Sequence, residues 1–235
     1  MRIEETAVPG AYVVTPAQLP DARGTFSEVL RTDLLEQVLG HPFTPRQINH
    51  SVSRRGTLRG IHGVAVPPGQ TKYVTCVRGA VRDVVVDLRV GSPTFGRHHV
   101  TELDPGTGRA VYVPDGVGHG FLALTDDACV CYALSATYVP GTQIDIDPLD
   151  PELAIPWGCE GTPLLSPKDA NAPGLAAARA AGMLATWQAV APGHLTDPQG
   201  RDTRGRDTWG EGARDHGARG EGTRGDGAGP QGERR

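Results

Sequence analysis

The chain has 235 residues, with 23 basic against 27 acidic side chains and a formal net charge of -4. That balance argues against nucleic-acid binding through a domain-wide basic field. No apolar run approaches the ~20 residues a membrane helix needs, and no charged-then-apolar leader opens the sequence, so a soluble cytoplasmic protein is expected.

In chain order, residues 11–15 read as a strand, followed by a Pro-rich bend and the segment DARGTFSEVL, in which Gly24 is the turn residue. Arg23, Phe26 and Glu28 there bring a cation, an aromatic ring and a carboxylate close together. Taken alone, such a group is a solvated turn entering a strand. Residues 32–39 place Leu34, Leu35, Val38 and Leu39 at helical spacing, with Thr32 or Asp33 as the expected cap and Gly40 as the stop.

From Gln47 onward the signal is β. Apolar or alternating runs at 73–77, 81–88, 99–103, 110–113, 120–124 and 129–137 are separated by Gly, Pro and Asp turns. This pattern predicts an all-β sandwich, jelly roll or barrel instead of strands alternating with helices. Residues 173–188 are Ala-rich, with Leu175, Arg179, Met183 and Leu184 suited to one C-terminal helix. The folded domain is therefore expected over 1–192. Residues 193–235 are rich in Gly, Arg and acids; from Arg201 to Arg235 eight Arg face seven Asp plus Glu. Such a tail buries too little apolar surface to order itself, and its interleaved acids cancel the field that RNA binding uses.

The stretch QINHSVSRRGTLRGIHGVAVPPGQTK, residues 47–72, concentrates polar and titratable groups around His62. Only Lys72 and Lys168 are lysine; the other 21 basic residues are arginine. A compact ammonium in a chain that otherwise writes positive charge as guanidinium marks both positions for chemistry. Cys76, Cys129, Cys131 and Cys159 lack Cys-x-x-Cys spacing and read as buried thiols, although Cys129 and Cys131 would share one strand face, which leaves a zinc or disulfide role open. His98 and His99 are adjacent, so on a strand they point to opposite faces and cannot readily share an ion with Glu102. His41, His50 and His119 complete no ligand spacing either, and the domain reads as metal-free.

Titratable groups must then act as acids, bases and charge stabilisers. A His62 base, a Tyr132 acid and a Lys72 ammonium facing an oxyanion suffice to remove a proton beside a ketone and return it elsewhere. Taken singly, each is more often structural than catalytic.

These residues carry a resemblance. QINHSVSRRGTLRGIH, VRGAVRDVVVDLRVGSPTFG, VPDGVGHGFLAL and SPKD are similar to motifs of the dTDP-4-dehydrorhamnose 3,5-epimerases and related epimerases of antibiotic deoxysugar pathways, over roughly residues 2–171. The resemblance implies a double-stranded β-helix of the cupin type, a homodimer, and a dTDP-4-keto-6-deoxyhexose substrate handled without metal or nucleotide cofactor. It implies His62 as general base oriented by Asp169, Lys72 at the enolate oxygen, and Tyr132 as proton donor on the opposite face of the ring. Arg23, Phe26, Glu28, Gln47, Asn49, Arg59, His119, Tyr138, Gln143 and Lys168 fall on substrate-binding positions, with Arg59 suited to the pyrophosphate. Three residues depart from the pattern. Gly63 stands where an aromatic residue usually follows the base, and Gln143 and Asp145 stand where many members have Glu and then Gly. Such changes would alter the pocket around the sugar, and with it the choice between C3 alone and both C3 and C5. A cupin 3,4-ketoisomerase and a non-catalytic sugar-nucleotide-binding module are the rival readings.

Overall fold

A computed structural model describes residues 1–190. The tail expected to be disordered lies outside them. Two antiparallel sheets pack face to face as a double-stranded β-helix of the cupin type. The first runs β1 (Arg2–Glu5), β2 (Tyr12–Thr15), β10 (Ala110–Val113), β7 (Lys72–Arg78), β12 (Ala128–Leu134), β5 (Gln47–Ser53). The second runs β13 (Gln143–Asp145), β6 (Leu58–Val64), β11 (Val117–Ala123), β8 (Val81–Asp87), β9 (His98–Leu103). Among the described residues, a small hairpin of β3 (Leu19–Asp21) and β4 (Gly24–Phe26) pairs only with itself.

Period-two alternation explains where the core and the site fall. On β7, Val74 and Cys76 point between the sheets with Val130 of β12 and Phe121 of β11, forming an apolar core. Lys72, Tyr132 and His119 continue those same inward rows toward one end. Each row therefore changes from apolar to polar along the strand, and the sandwich becomes a pocket where the rows turn polar.

The outer face of the second sheet carries Leu58, Ile61, Val84 and Ile146 against Trp157 and Leu175. The outer face of the first is covered by α1 (Thr32–Leu39), whose Leu35 packs with Phe43, Tyr73 and Tyr112. Helix α1 has the expected span and stops at Gly40, whose φ of 75° lets its N–H reach Glu36 O at 2.8 Å. Its cap differs from expectation. Arg31 occupies that position with no side-chain cap, and the Asp33 carboxylate is held by the Arg31 guanidinium at 2.6 Å.

The C-terminal helix is much shorter than the sequence suggests. Helix α3 covers only Leu175–Ala180, and Gly182 follows with φ 68°. The rest is drawn into β-type pairing: Val90 N–H donates to Ala185 O, and Trp187 N–H to Val90 O, each at 2.9 Å. Strands β1, β3 and β13 were not legible because they are short and polar or exposed, and β5 and β6 fell within the general β signal from Gln47 without bounds of their own. All four cysteines are free; only Cys76 is buried, the others being half-buried, which corrects the expectation of buried thiols.

Candidate active site

The site begins with an irregularity in β6. His62 pairs with His119 and Arg59 with Phe121, so β6 spends one more residue than β11 between the two pairs. Such a bulge re-aims side chains. Gly60 makes it feasible: its φ is 113°, and a Cβ there would lie 2.5 Å from Gly120 Cα. Arg59 and His62, three apart in sequence, consequently border one hollow of about 370 Å³ together with Lys168 and Asp169.

His62 Nε2 lies 2.7 Å from Asp169 Oδ1. Asp169 is buried on α2 (Pro167–Ala170), a short turn of helix held by the Ser166 hydroxyl accepting from Asp169 N–H at 3.0 Å. Burial lowers the proton affinity of His62, and the charges of Lys72 and Lys168 lower it further; the hydrogen bond and charge of Asp169 oppose them. Lys72 Nζ donates to the His62 carbonyl at 3.1 Å. Its ammonium is fully buried, which brings its pKa down to about 8 against the opposing charges of Asp83 and Asp145.

Tyr132 projects from the other sheet, its hydroxyl 3.2 Å from Ser51 Oγ. Burial raises its pKa well above the ordinary phenol value, so the group stays protonated. His62, Lys72 and Tyr132 line one cavity of about 300 Å³ with Gln47, Asn49, Tyr138 and Gln143. Gln47 ties this rim together: its amide donates to Asn49 Oδ1 at 2.9 Å and its oxygen accepts from Tyr138 N–H at 2.9 Å.

Not every expected residue reaches the cavity. His119 is buried behind it, with Nε2 2.6 Å from Asp83 Oδ2 and its ring edge-on to Tyr132 at 6.1 Å. Arg23, Phe26 and Glu28 lie on or just after the β3–β4 hairpin, exposed, and none of them lines the cavity. Gly63 contributes backbone only. A Cβ there would point at Leu88 and Ile144, 3.6 and 3.7 Å away, into the core. Of the other two departures, Gln143 lines the cavity and Asp145 lies 3.7 Å from His62 Nε2. Sequence reading did not assign Ser51 or Asp83. Ser51 was accessible to it, since it follows Gln47 and Asn49 on the same face of β5.

Among the described residues, one set offers metal-ligand atoms all within 4.8 Å of one another: His62, Asp145 and Asp169. Asp145 Oδ1 already accepts from Lys168 Nζ at 3.0 Å and Gln143 Nε2 at 2.9 Å, so a cation would have to displace an ammonium. These donors satisfy one another, as a proton-transfer group does. His98, His99 and Glu102 form no such set; Glu102 is paired with Arg82 at 2.9 Å.

The family profile described as dTDP-4-dehydrorhamnose 3,5-epimerase matches residues 5–177. The chain belongs to the dTDP-4-dehydrorhamnose 3,5-epimerase family. Among its relatives, a dTDP-4-dehydrorhamnose 3-epimerase of Streptomyces niveus is 53% identical over 206 residues, covering 84% of this chain and 99% of the relative. A dTDP-4-dehydrorhamnose 3,5-epimerase of Mycolicibacterium smegmatis is 49% identical over 187 residues, covering 80% and 92%. Among solved structures, the 4-keto-6-deoxy sugar epimerase from the novobiocin cluster of Streptomyces spheroides superposes with a TM-score of 0.79 at 53% identity, covering 81% of this chain and 95% of its own. The 3'-monoepimerase of Streptomyces bikiniensis in complex with dTDP-quinovose gives a TM-score of 0.77 at 47% identity, covering 79% and 94%.

Proposed function

We infer that the protein is an epimerase of a dTDP-4-keto-6-deoxyhexose, inverting C3, or C3 and C5, beside the C4 ketone in deoxysugar biosynthesis. Family membership supports the reading, as do the dTDP-sugars held by related structures from Streptomyces bikiniensis and Legionella pneumophila. The observation that carries it is His62 of one sheet, held 2.7 Å from Asp169 of α2, sharing a cavity with Tyr132 of the other sheet.

In this scheme His62 takes the proton from the carbon next to the ketone. The C–H electrons move into the new C=C bond, and the carbonyl electrons come to rest on the C4 oxygen as an enolate. Lys72 meets that charge. Tyr132 then gives its proton to the opposite face of the carbon while the enolate collapses to the ketone. The imidazolium and tyrosinate left behind reset by exchange with solvent. Asp169 keeps the ring aimed and favours its imidazolium. A placed acid or base contributes about 10²–10⁴ in rate, and one oxyanion partner about 2.7–4 kcal/mol. No step of the scheme draws on a metal or nucleotide cofactor.

Gln47, Asn49 and Tyr138 form the cavity rim suited to the nucleotide, and Arg59 and Lys168 offer cations in the adjoining hollow. Arg23, Phe26 and Glu28 serve a site only if a second copy brings them to it. Phe26 is 65% exposed on the hairpin and Ile48 is 71% exposed on the edge strand β5. Unpartnered apolar groups on a lone hairpin and a sheet edge favour a homodimer in which each hairpin completes the partner's cavity. Among the described residues no helix is long and apolar enough to cross a membrane.

Turnover in deuterated water tests the reading. Deuterium is expected at C3, or at C3 and C5, with inverted configuration. Absence of label at both carbons overturns the reading, and a carbonyl moved to C3 would replace it with ketoisomerisation.

A further inference from the structure

Asp145 stands directly across the β13–β6 ladder from His62, so the two side chains share a face. Its Oδ1 accepts from Lys168 Nζ at 3.0 Å and from Gln143 Nε2 at 2.9 Å, and lies 3.7 Å from His62 Nε2. The epimerisation scheme above gives this carboxylate no task. The titratable and charged groups around His62 are His50 from β5, Arg59 from β6, Lys72 from β7, His119 from β11, Tyr132 from β12, Asp145 from β13, and Lys168 and Asp169 from α2, with Asp83 of β8 behind His119. Asp83 Oδ2 lies 2.6 Å from His119 Nε2 and its charge also reaches Lys72, while Arg59 Nε donates to Ser53 Oγ at 3.0 Å.

Lys72 and Lys168 both lower the proton affinity of His62 by their charge. Carboxylates beside the ring oppose them, and Asp169 and Asp145 place an oxygen 2.7 and 3.7 Å from its Nε2.

We propose that Asp145 is a positioning residue for the acid–base set: its carboxylate is the shared counter-ion of His62, Lys72 and Lys168. The inference rests on the epimerase reading for its catalytic consequence, though the charge-sharing is a property of the unliganded protein. Asp145 holds Lys168 and Gln143 in one hydrogen-bonded group beneath His62. The charge of Asp145 also reaches Lys72, where it favours the ammonium. One carboxylate therefore acts on both ends of the working pH range. It favours the protonated form of the base and the protonated form of the lysine.

The test is Asp145→Asn, which keeps the shape and removes the charge. Both limbs of the kcat/KM profile are expected to move toward acid, that of His62 by about one pH unit, the scale of one unit charge at 3.7 Å. The ring resonances of His62, followed by NMR in the unliganded protein, should titrate at correspondingly lower pH, and Asp145→Glu should restore the original values. Lys168→Met provides a second variant. It frees the Asp145 carboxylate to face His62 alone, so His62 should titrate at higher pH. Unchanged His62 titration in Asp145→Asn, or a drop in rate with unmoved limbs, overturns the proposal. If the parent protein places no deuterium at C3 or C5, the epimerase reading fails, and the NMR titration still decides the role of Asp145.

Discussion

At the scale of single residues, the site assigns different losses to different side chains. His62→Asn should abolish deuterium entry from solvent, a loss of at least about 10²–10⁴ in rate, because His62 is the imidazole paired with Asp169 in the cavity. Tyr132→Phe should keep exchange on the His62 face and lose inversion; exchange and product configuration, measured by NMR on one sample, separate the two. Activity requires neutral His62 and charged Lys72. The kcat/KM profile should therefore rise through the pKa of His62, held below its ordinary 6.5 by burial and the two lysines, and fall through that of Lys72, about 8. Stopped assays across pH 5–9 check both limbs. His62 was legible because it closes a distinctive motif and Lys72 because it is one of only two lysines, whereas Tyr132 stood out only as a phenol on a later strand. Asp145 was legible only as a departure, since nothing in its sequence neighbourhood shows that β13 pairs with β6.

At the scale of elements, two local devices hold the site. The β6 bulge depends on Gly60, where a side chain would meet the backbone of β11 at 2.5 Å and sit at a φ of 113°. Gly60→Ala should cost about 2–5 kcal/mol from strain and overpacking together, and should lower activity further by misaligning His62 with Asp169. Thermal unfolding and kcat report the two effects separately. The second device is the turn after β8, where buried Asp87 accepts from Arg89 Nε at 2.7 Å and from the Ser92 and Thr94 hydroxyls at 2.6 Å each. Burial pushes this carboxyl up, but the donors outweigh it and hold it below its ordinary value. Arg89→Met should cost about 3–5 kcal/mol near pH 7 by leaving a buried charge short of its partner. A depressed carboxyl stabilises the fold above its unfolded pKa and loses that contribution as pH falls through the folded value. The penalty should therefore shrink in acid, as urea denaturation at two pH values would show. The truncated α3 has the same lesson: Ala-rich composition favours helix, yet two hydrogen bonds to Val90 and the Trp187 ring 4.4 Å from the Arg89 guanidinium draw the following residues into an extended path.

At the scale of the whole molecule, the functional unit is expected to hold two chains. Light scattering should give a dimer, and a Phe26→Asp, Ile48→Asp double variant should shift it toward monomer with loss of turnover. Mixing gives a sharper check. An Arg23→Ala protein and a His62→Asn protein should each be weak alone and partly recover when exchanged into mixed dimers, because one cavity then receives an intact hairpin and an intact base. No recovery would place Arg23 in its own chain's site.

The sequence by itself determined the all-β class, the positions of most long strands, helix α1 and the motifs centred on His62, because alternation, turn residues and capping act over a few neighbours. Tertiary structure alone decided which motifs meet. Asp169 reaches His62 from a helical turn more than a hundred positions away, and Tyr132 faces it from the opposite sheet. Gly63 turned out to face the core while Asp145 faces the base, since a residue's face is set by strand register and bulges, which depend on the partner strand.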